Sequence, residues 1–271
     1  MAANCLHSEL EDADMATRFT RLGAWGLWLA GAAWLLPQAH AEQFTIRYET
    51  GAAGAQTTSA TFSTVGVETF ESVSTGSGKT YTTDFGTGGA ISATYQNLQV
   101  NNADKYGGAN GSGHYAVTFS NTGYEINFGG SGVNYFGFWL SALDANNYVT
   151  FYRAGQKLLD FTPADLLAMV NGQSAYYGNP NAPFKGQNAG EPYAFVNFFN
   201  EGGYFDRIVF RQAGGGGYES DNHTVGFWQT QGTGAVVSSI QVTAVPEPGL
   251  AVLFGLGSVV ALSAARRRRG A

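Results

Sequence analysis

Apolar and polar residues alternate through most of the middle of this chain. Tyr115, Val117 and Phe119 alternate with Ala116, Thr118 and Ser120. After a turn at Asn121, Thr122 and Gly123, Tyr124, Ile126 and Phe128 alternate with Glu125 and Asn127. A period of two puts successive side chains on opposite faces of an extended strand. Residues 135–140 are almost wholly apolar, as a central strand covered on both faces requires. Further strands are predicted at 148–153, 193–199, 206–211, 224–228 and 236–242, with earlier candidates at 57–62, 67–70 and 90–95. Gly- and Asn-rich turns separate them, and 214–217 reads as a flexible turn. The pattern predicts an all-β domain, a β-sandwich or jelly roll. One short helix interrupts it, with Thr162 as cap, Pro163 at the first position and Asp165 at the third. Leu166, Leu167, Met169 and Val170 would pack that helix on the sheet. The long loop 171–190 is a candidate functional segment, since structureless loops of that length are uncommon in compact domains.

The two ends break this pattern. Arg18 and Arg21 precede an apolar run over 22–36, and Ala39-His40-Ala41 is a small-x-small cleavage site. Together they read as a signal peptide, which implies export through the Sec translocon and a mature chain starting at Glu42. Glu9, Glu11, Asp12 and Asp14 are out of place ahead of such a signal, so the true start is expected at Met15. Cys5, the only cysteine, lies in that early segment, so the mature domain cannot use disulfides. At the other end, Val245, Pro246, Glu247 and Pro248 precede an uncharged run over 249–265 and then Arg266, Arg267, Arg268 and Arg269. The run is near the lower length limit for a transmembrane helix, about 17 residues. The arginines are expected to stay cytoplasmic as its stop.

A short Val-Pro-Glu-Pro motif, a span and an Arg cluster in that order resemble the PEP-CTERM sorting signal of bacterial surface proteins. The resemblance covers 245–271. It implies recognition and removal by an exosortase, a membrane cysteine protease, in a Gram-negative bacterium that makes exopolysaccharide. Glu247 and its flanking prolines would be the recognised element. A second resemblance runs from about Phe70 to Trp228. It is carried by Tyr135-Phe136-Gly137-Phe138-Trp139, Val149-Thr150-Phe151-Tyr152, Tyr193-Ala194-Phe195-Val196-Asn197-Phe198, Phe205-Asp206-Arg207-Ile208 and Glu219-Ser220-Asp221-Asn222. These blocks are similar to a family of exosortase-dependent surface proteins that brings a β-sandwich expectation and no activity. The expected organisation is therefore a signal region at 1–41, a β-sandwich domain at 42–244 and a sorting tail at 245–271. The protein would be held in the inner membrane by its tail, then released to the cell surface or extracellular matrix.

Charge narrows the partners. The end segments take six of the 14 Lys and Arg and five of the 20 Asp and Glu, leaving the domain near −7. Nucleic acid is excluded, because its binding needs a basic face. Cations and sugars remain. Glu71, Asp104 and Asp221 are candidate calcium ligands, since calcium takes six to eight oxygens from carboxylates, carbonyls and water. Ordinary turn chemistry is the competing reading of the same residues. Tyr176, Tyr177 and Phe184 of the long loop, with Trp228, are candidates for stacking on sugar rings, and Asn179 and Asn188 for hydrogen bonds to them. Trp139, in its apolar run, is expected in the core. His114 and His223 belong to no nucleophile motif, so no catalytic residue is assigned. Asp144, Asp206 and Glu219 are the carboxylates available to a glycoside hydrolase, which needs a facing pair. The expected role is structural or adhesive, within the exopolysaccharide or on the cell surface, with carbohydrate binding the mechanism to test. A glycan-active hydrolase and a purely structural protein with protein partners are the alternatives.

Overall fold

A computed structural model describes residues 42–242. The signal region with Cys5, Ala39 and Ala41, the sorting motif Val245, Pro246, Glu247 and Pro248, the expected membrane helix 249–265 and Arg266, Arg267, Arg268 and Arg269 lie outside the described residues.

Thirteen strands and one short α-helix make up the described chain. The strands are β1 (Glu42–Tyr48), β2 (Thr61–Glu68), β3 (Gly76–Thr83), β4 (Ala93–Asn102), β5 (His114–Phe119), β6 (Gly123–Phe128) and β7 (Tyr135–Ser141). They continue as β8 (Asn147–Arg153), β9 (Gln156–Phe161), β10 (Ala194–Glu201), β11 (Arg207–Gln212), β12 (Gly217–Thr230) and β13 (Ala235–Val242), with α1 at Ala164–Val170. All pairings are antiparallel, in the order β13-β1-β10-β7-β12-β5-β4-β6-β11-β8-β9, with β2 added on β12 and β3 on β4.

The fourteen-residue β12 joins the two halves of this sheet. Along one side it pairs with β7, and along the other first with β5 and then with β2. The halves fold over each other into a nearly closed, barrel-like wrap. Phe198 of β10 meets Phe151 of β8 at 4.9 Å between ring centres and Phe161 of β9 at 5.0 Å. Phe138 of β7 meets Phe210 of β11 at 5.1 Å. The alternation that predicts the strands also fills this core: Tyr124 and Ile126, Val149 and Phe151, and Ile208 and Phe210 all point inward and are buried.

A bulge in β12 sets which polar residues face out. Asp221 pairs with Trp139, but Thr224 pairs with Gly137, so three steps on β12 match two on β7. Asn222 takes up the extra residue at φ 50°. A bulge of this kind flips the alternation. Tyr218, Ser220, His223 and Val225 therefore all contribute to the interior, while Glu219 and Asp221 sit on the outer face.

That outer face is roofed. Trp139, Tyr193 and Phe195 form a second, smaller buried cluster with Ala53 and Ala109 from the covering loops. The Trp139 indole donates to the Ala53 carbonyl at 3.3 Å and its ring lies 5.5 Å from that of Tyr193. Trp139 is thus buried as expected, but in this outer cluster and not between the halves of the sheet.

Other expectations need adjustment. Thr162 does not cap α1: Pro163 occupies the cap, and no side chain bonds the free amides of the first turn. Leu166 and Val170 are buried beneath the helix as expected. Strand β2 starts at Thr61 instead of 57 and runs unbroken through to Glu68. Strands β1, β3 and β9 were not expected. Strand β4 continues to Asn102, into what reads as a loop, and β12 begins seven residues before the expected Thr224.

Candidate functional site

A cleft of about 680 Å³ opens where β5 and the start of β12 meet the loops after β4 and β7. It is lined by Asn101, Tyr106, Tyr115 and Phe119, by the carboxylates of Asp104, Asp144, Glu191 and Glu219, and by the backbone of Gly215, Gly216 and Gly217. Ligand sites are concave and combine apolar walls with a few fixed polar groups, and this cleft has both.

Each carboxylate has a distinct anchor. Asp104 folds back on its own turn, accepting from the amides of Tyr106 at 2.8 Å and Gly107 at 3.1 Å and from the Tyr115 hydroxyl at 3.3 Å. The Tyr115 ring lies flat against Gly107, where a Cβ would come within 2.5 Å of it. Burial pushes the Tyr115 phenol well up, with Asp104 and Glu219 adding to the effect. Asp144 accepts from the Asn146 amide at 2.7 Å and from the Gln212 side chain at 3.2 Å. Glu191 accepts from the Asn188 side chain at 2.7 Å.

Glu219 differs from these three. It is only 6 % exposed, and among the described residues its carboxylate receives a hydrogen bond from its own backbone amide alone. Its carboxylate lies over Gly217, where an added Cβ would fall 2.0 Å from Oε1. Burial pushes its carboxyl up to about 8, with Glu191, Asp104 and Asp144 raising it further by repulsion. At neutral pH the cleft therefore holds one protonated carboxyl among three neighbouring carboxylates. The rings of Tyr106 and Phe119 are free to meet a ligand, at 38 % and 42 % exposure.

The residues expected to bind calcium do not share the cleft. Only Asp104 lines the cleft. Asp221 is buried under the roof, where its two oxygens accept from the amides of Ala109 at 2.6 Å and Asn222 at 2.7 Å. Burial raises its carboxyl to about 7 in spite of those amides, and Glu71 and Glu68 contribute by repulsion. Glu71 is exposed and lies against Gly113. Among the described residues, no three His, Cys, Asp or Glu side chains form a group arranged to hold a metal ion. Asp221 pins the roof together with Asn222, which donates to the Gln56 carbonyl at 2.9 Å.

The expected sugar-stacking aromatics lie outside the cleft. Tyr176 is buried, edge-on to Tyr48 at 5.8 Å, with its hydroxyl donating to the Glu49 carbonyl at 3.3 Å. Tyr177 is half-buried against the core and Phe184 is half-buried in its loop. Trp228 is half-buried, edge-on to Phe199 at 5.7 Å, and donates to the Asn200 carbonyl at 3.2 Å. Asn179 donates to the carbonyls of Asp104 and Lys105, and Asn188 to Glu191 and the Tyr193 hydroxyl. The long loop thus spends its polar groups on holding its own shape and the cleft wall. Of the carboxylates considered for hydrolysis, Asp144 and Glu219 do share the cleft, whereas Asp206 accepts from the Ala154 amide elsewhere.

His223 is fully buried between Tyr95, which meets Nδ1 at 3.0 Å, and Ser220, which meets Nε2 at 3.0 Å. Burial lowers its pKa to about 3, so it is a neutral core residue. The chain matches no protein-family model, no curated protein and no solved structure.

Proposed function

We propose that this is an exported, tail-sorted surface or matrix protein that binds carbohydrate in the cleft between β5 and β12. The wrap is read as a flattened sandwich of jelly-roll type. The single observation that carries the reading is the pairing of two exposed aromatic rings, Tyr106 and Phe119, with carboxylates in one cleft. Ring faces take the C–H faces of sugars, and carboxylates accept their hydroxyls in short, charge-assisted bonds. Export is supported by the sequence on either side of the domain: the Ala39-His40-Ala41 site lies directly before Glu42 and the Val245-Pro246 stop shortly after Val242. The strand ends Glu42 and Val242 pair with each other. They lie at the Tyr135 end of β7, one strand length from the Ala142 end that lines the cleft.

The test is calorimetric titration of the full-length protein, in detergent, with exopolysaccharide from the producing organism. Saturable binding that weakens about fivefold for each of Tyr106→Ala and Phe119→Ala is expected, from roughly 1 kcal/mol per aromatic contact. Binding that ignores both variants would move the site elsewhere.

A second reading is glycan hydrolysis, favoured by Glu219 and Asp144 sharing the cleft. A carboxyl kept protonated at neutral pH is what a general acid requires. Release of reducing ends from the bound polysaccharide, abolished by Glu219→Gln with binding intact, would establish it.

A further inference from the structure

We infer that the cleft selects a positively charged glycan, one whose sugars carry free amines, over neutral or acidic glycans. The inference rests on the carbohydrate-binding reading and names the substrate class for the same site.

Charge composition carries the argument. Four carboxylates line the cleft, and no Lys, Arg or His is among the lining residues. Asp104, Asp144 and Glu191 have polar partners within the protein, all neutral. Glu219 has none beyond its own amide, although it is more than nine-tenths buried and faces the cleft. A buried carboxylate is normally paired or coordinates a cation, because desolvating it alone is costly. With no cation beside it Glu219 keeps its proton at neutral pH, and an ammonium on the ligand would take that proton's place, the proton leaving to solvent as the carboxylate forms.

The shape of the site favours an amine on a sugar over a bare ion. The carboxylates are spread along a cleft of about 680 Å³ and are not gathered around one point. The exposed faces of Tyr106 and Phe119 offer a wall that a bare ion does not need. Aromatic faces also attract ammonium groups, and the Tyr106 ring already holds one, with the Lys105 ammonium 4.7 Å from its centre. Lys105 is thus an exposed internal competitor at the rim. A glycan bearing carboxylates or sulfates would meet like charge at every wall.

The test uses three tetrasaccharides of one linkage, built from glucosamine, N-acetylglucosamine and glucose, titrated into the full-length protein in detergent near neutral pH, where the sugar amines are still largely charged and Glu219 can give up its proton. The glucosamine form is expected to bind on the order of tenfold tighter than the other two, as one well-placed ion pair at an intermediate dielectric allows. The preference should collapse near 1 M salt, where screening acts within about 3 Å. Glu191→Gln and Asp144→Asn should each erode it, and Lys105→Ala should enhance it. Gly217→Ala, which displaces the Glu219 carboxyl from its place over Gly217, should erode it as well.

Equal binding of all three sugars overturns the inference and leaves carbohydrate binding standing. Binding of none of them, or of the polysaccharide, overturns both. Saturable binding of calcium chloride alone, with the amine form no better than glucose, replaces the amine with a metal ion and overturns the inference.

Discussion

Three buried titratable groups on one strand pull stability in opposite directions with pH. Glu219 and Asp221 have folded values near 8 and 7, above their ordinary 4.5 and 3.8. The folded state therefore binds their protons more tightly than the unfolded state. Their contribution is complete below about pH 4 and is lost as pH rises through 7 to 8. His223 has a folded value near 3, below its ordinary 6.5, so its contribution is complete above pH 6.5 and is lost as pH falls towards 3. Between about 4.5 and 6.5 the two carboxylates outweigh the single histidine, so stability should rise on mild acidification and fall only below about pH 4. Glu219→Gln should remove part of the decline between pH 4.5 and 8, as read from melting temperature against pH. An unchanged slope would mean that Glu219 is charged and solvated in the folded protein. His223→Phe should flatten the acid limb, at a cost near neutrality of about 1–3 kcal/mol for the Tyr95 hydroxyl left unpaired, since Ser220 keeps its bond to the Tyr124 hydroxyl. The residue types were legible in the sequence, but nothing there set Asp144 and Glu219 apart from Asp206. Their meeting was not legible, because Glu-Ser-Asp-Asn-His has no apolar alternation and precedes the strand expected at 224–228. Only the bulge at Asn222 reconciles that run with a strand buried on both sides.

Among elements, legibility followed periodicity. Strands β5, β6, β7, β8, β11 and β13 are close to their expected places because each carries alternating or continuous apolar residues. Strand β3, Gly-Ser-Gly-Lys-Thr-Tyr-Thr-Thr, has no run of apolar residues and is held by pairing with β4 and by Tyr81, which packs on the core and donates to Glu68, so it left no trace in the pattern. The roof over the outer face was equally hidden, since it is built from loops whose anchors, Ala53, Ala109 and Gln56, have no period. This roof gives the element-scale prediction. Trp139→Ala empties the cluster beneath it and should cost about 3–5 kcal/mol, as large-to-small changes at buried aromatics do. Asp221→Ala instead frees the amides of Ala109 and Asn222 and should loosen the same loops, seen as faster hydrogen exchange at 107–111. If Trp139→Ala leaves the melting temperature within a degree or two, the outer cluster is not part of the cooperative fold.

At the scale of the whole molecule, the all-β class was legible but the closure was not. Nothing in the composition of β12 announces that one strand will serve both halves of the sheet. The ends of the domain repeat this coupling between distant segments. Strand β13 lies at one end of the strand order and, among the described residues, pairs with β1 alone, whose Glu42 forms an ion pair with Arg153. Val242 of β13 is buried, and Ala235, Val237 and Ile240 pack on the core. The last described strand is therefore structural. A protein ending at Ala244, the product expected if the tail is removed, should melt with the full-length chain and bind the same glycans. A protein ending before Ala235 should lose several kcal/mol, because about four apolar side chains at roughly 1.5–3 kcal/mol each when fully buried lose part of their cover. It should also aggregate, because β1 becomes an exposed edge with unpaired amides. Melting curves and light scattering on the two truncations separate these outcomes. Equal stability of both would show that β13 adds cover but no cohesion, and that the domain ends in effect at β12.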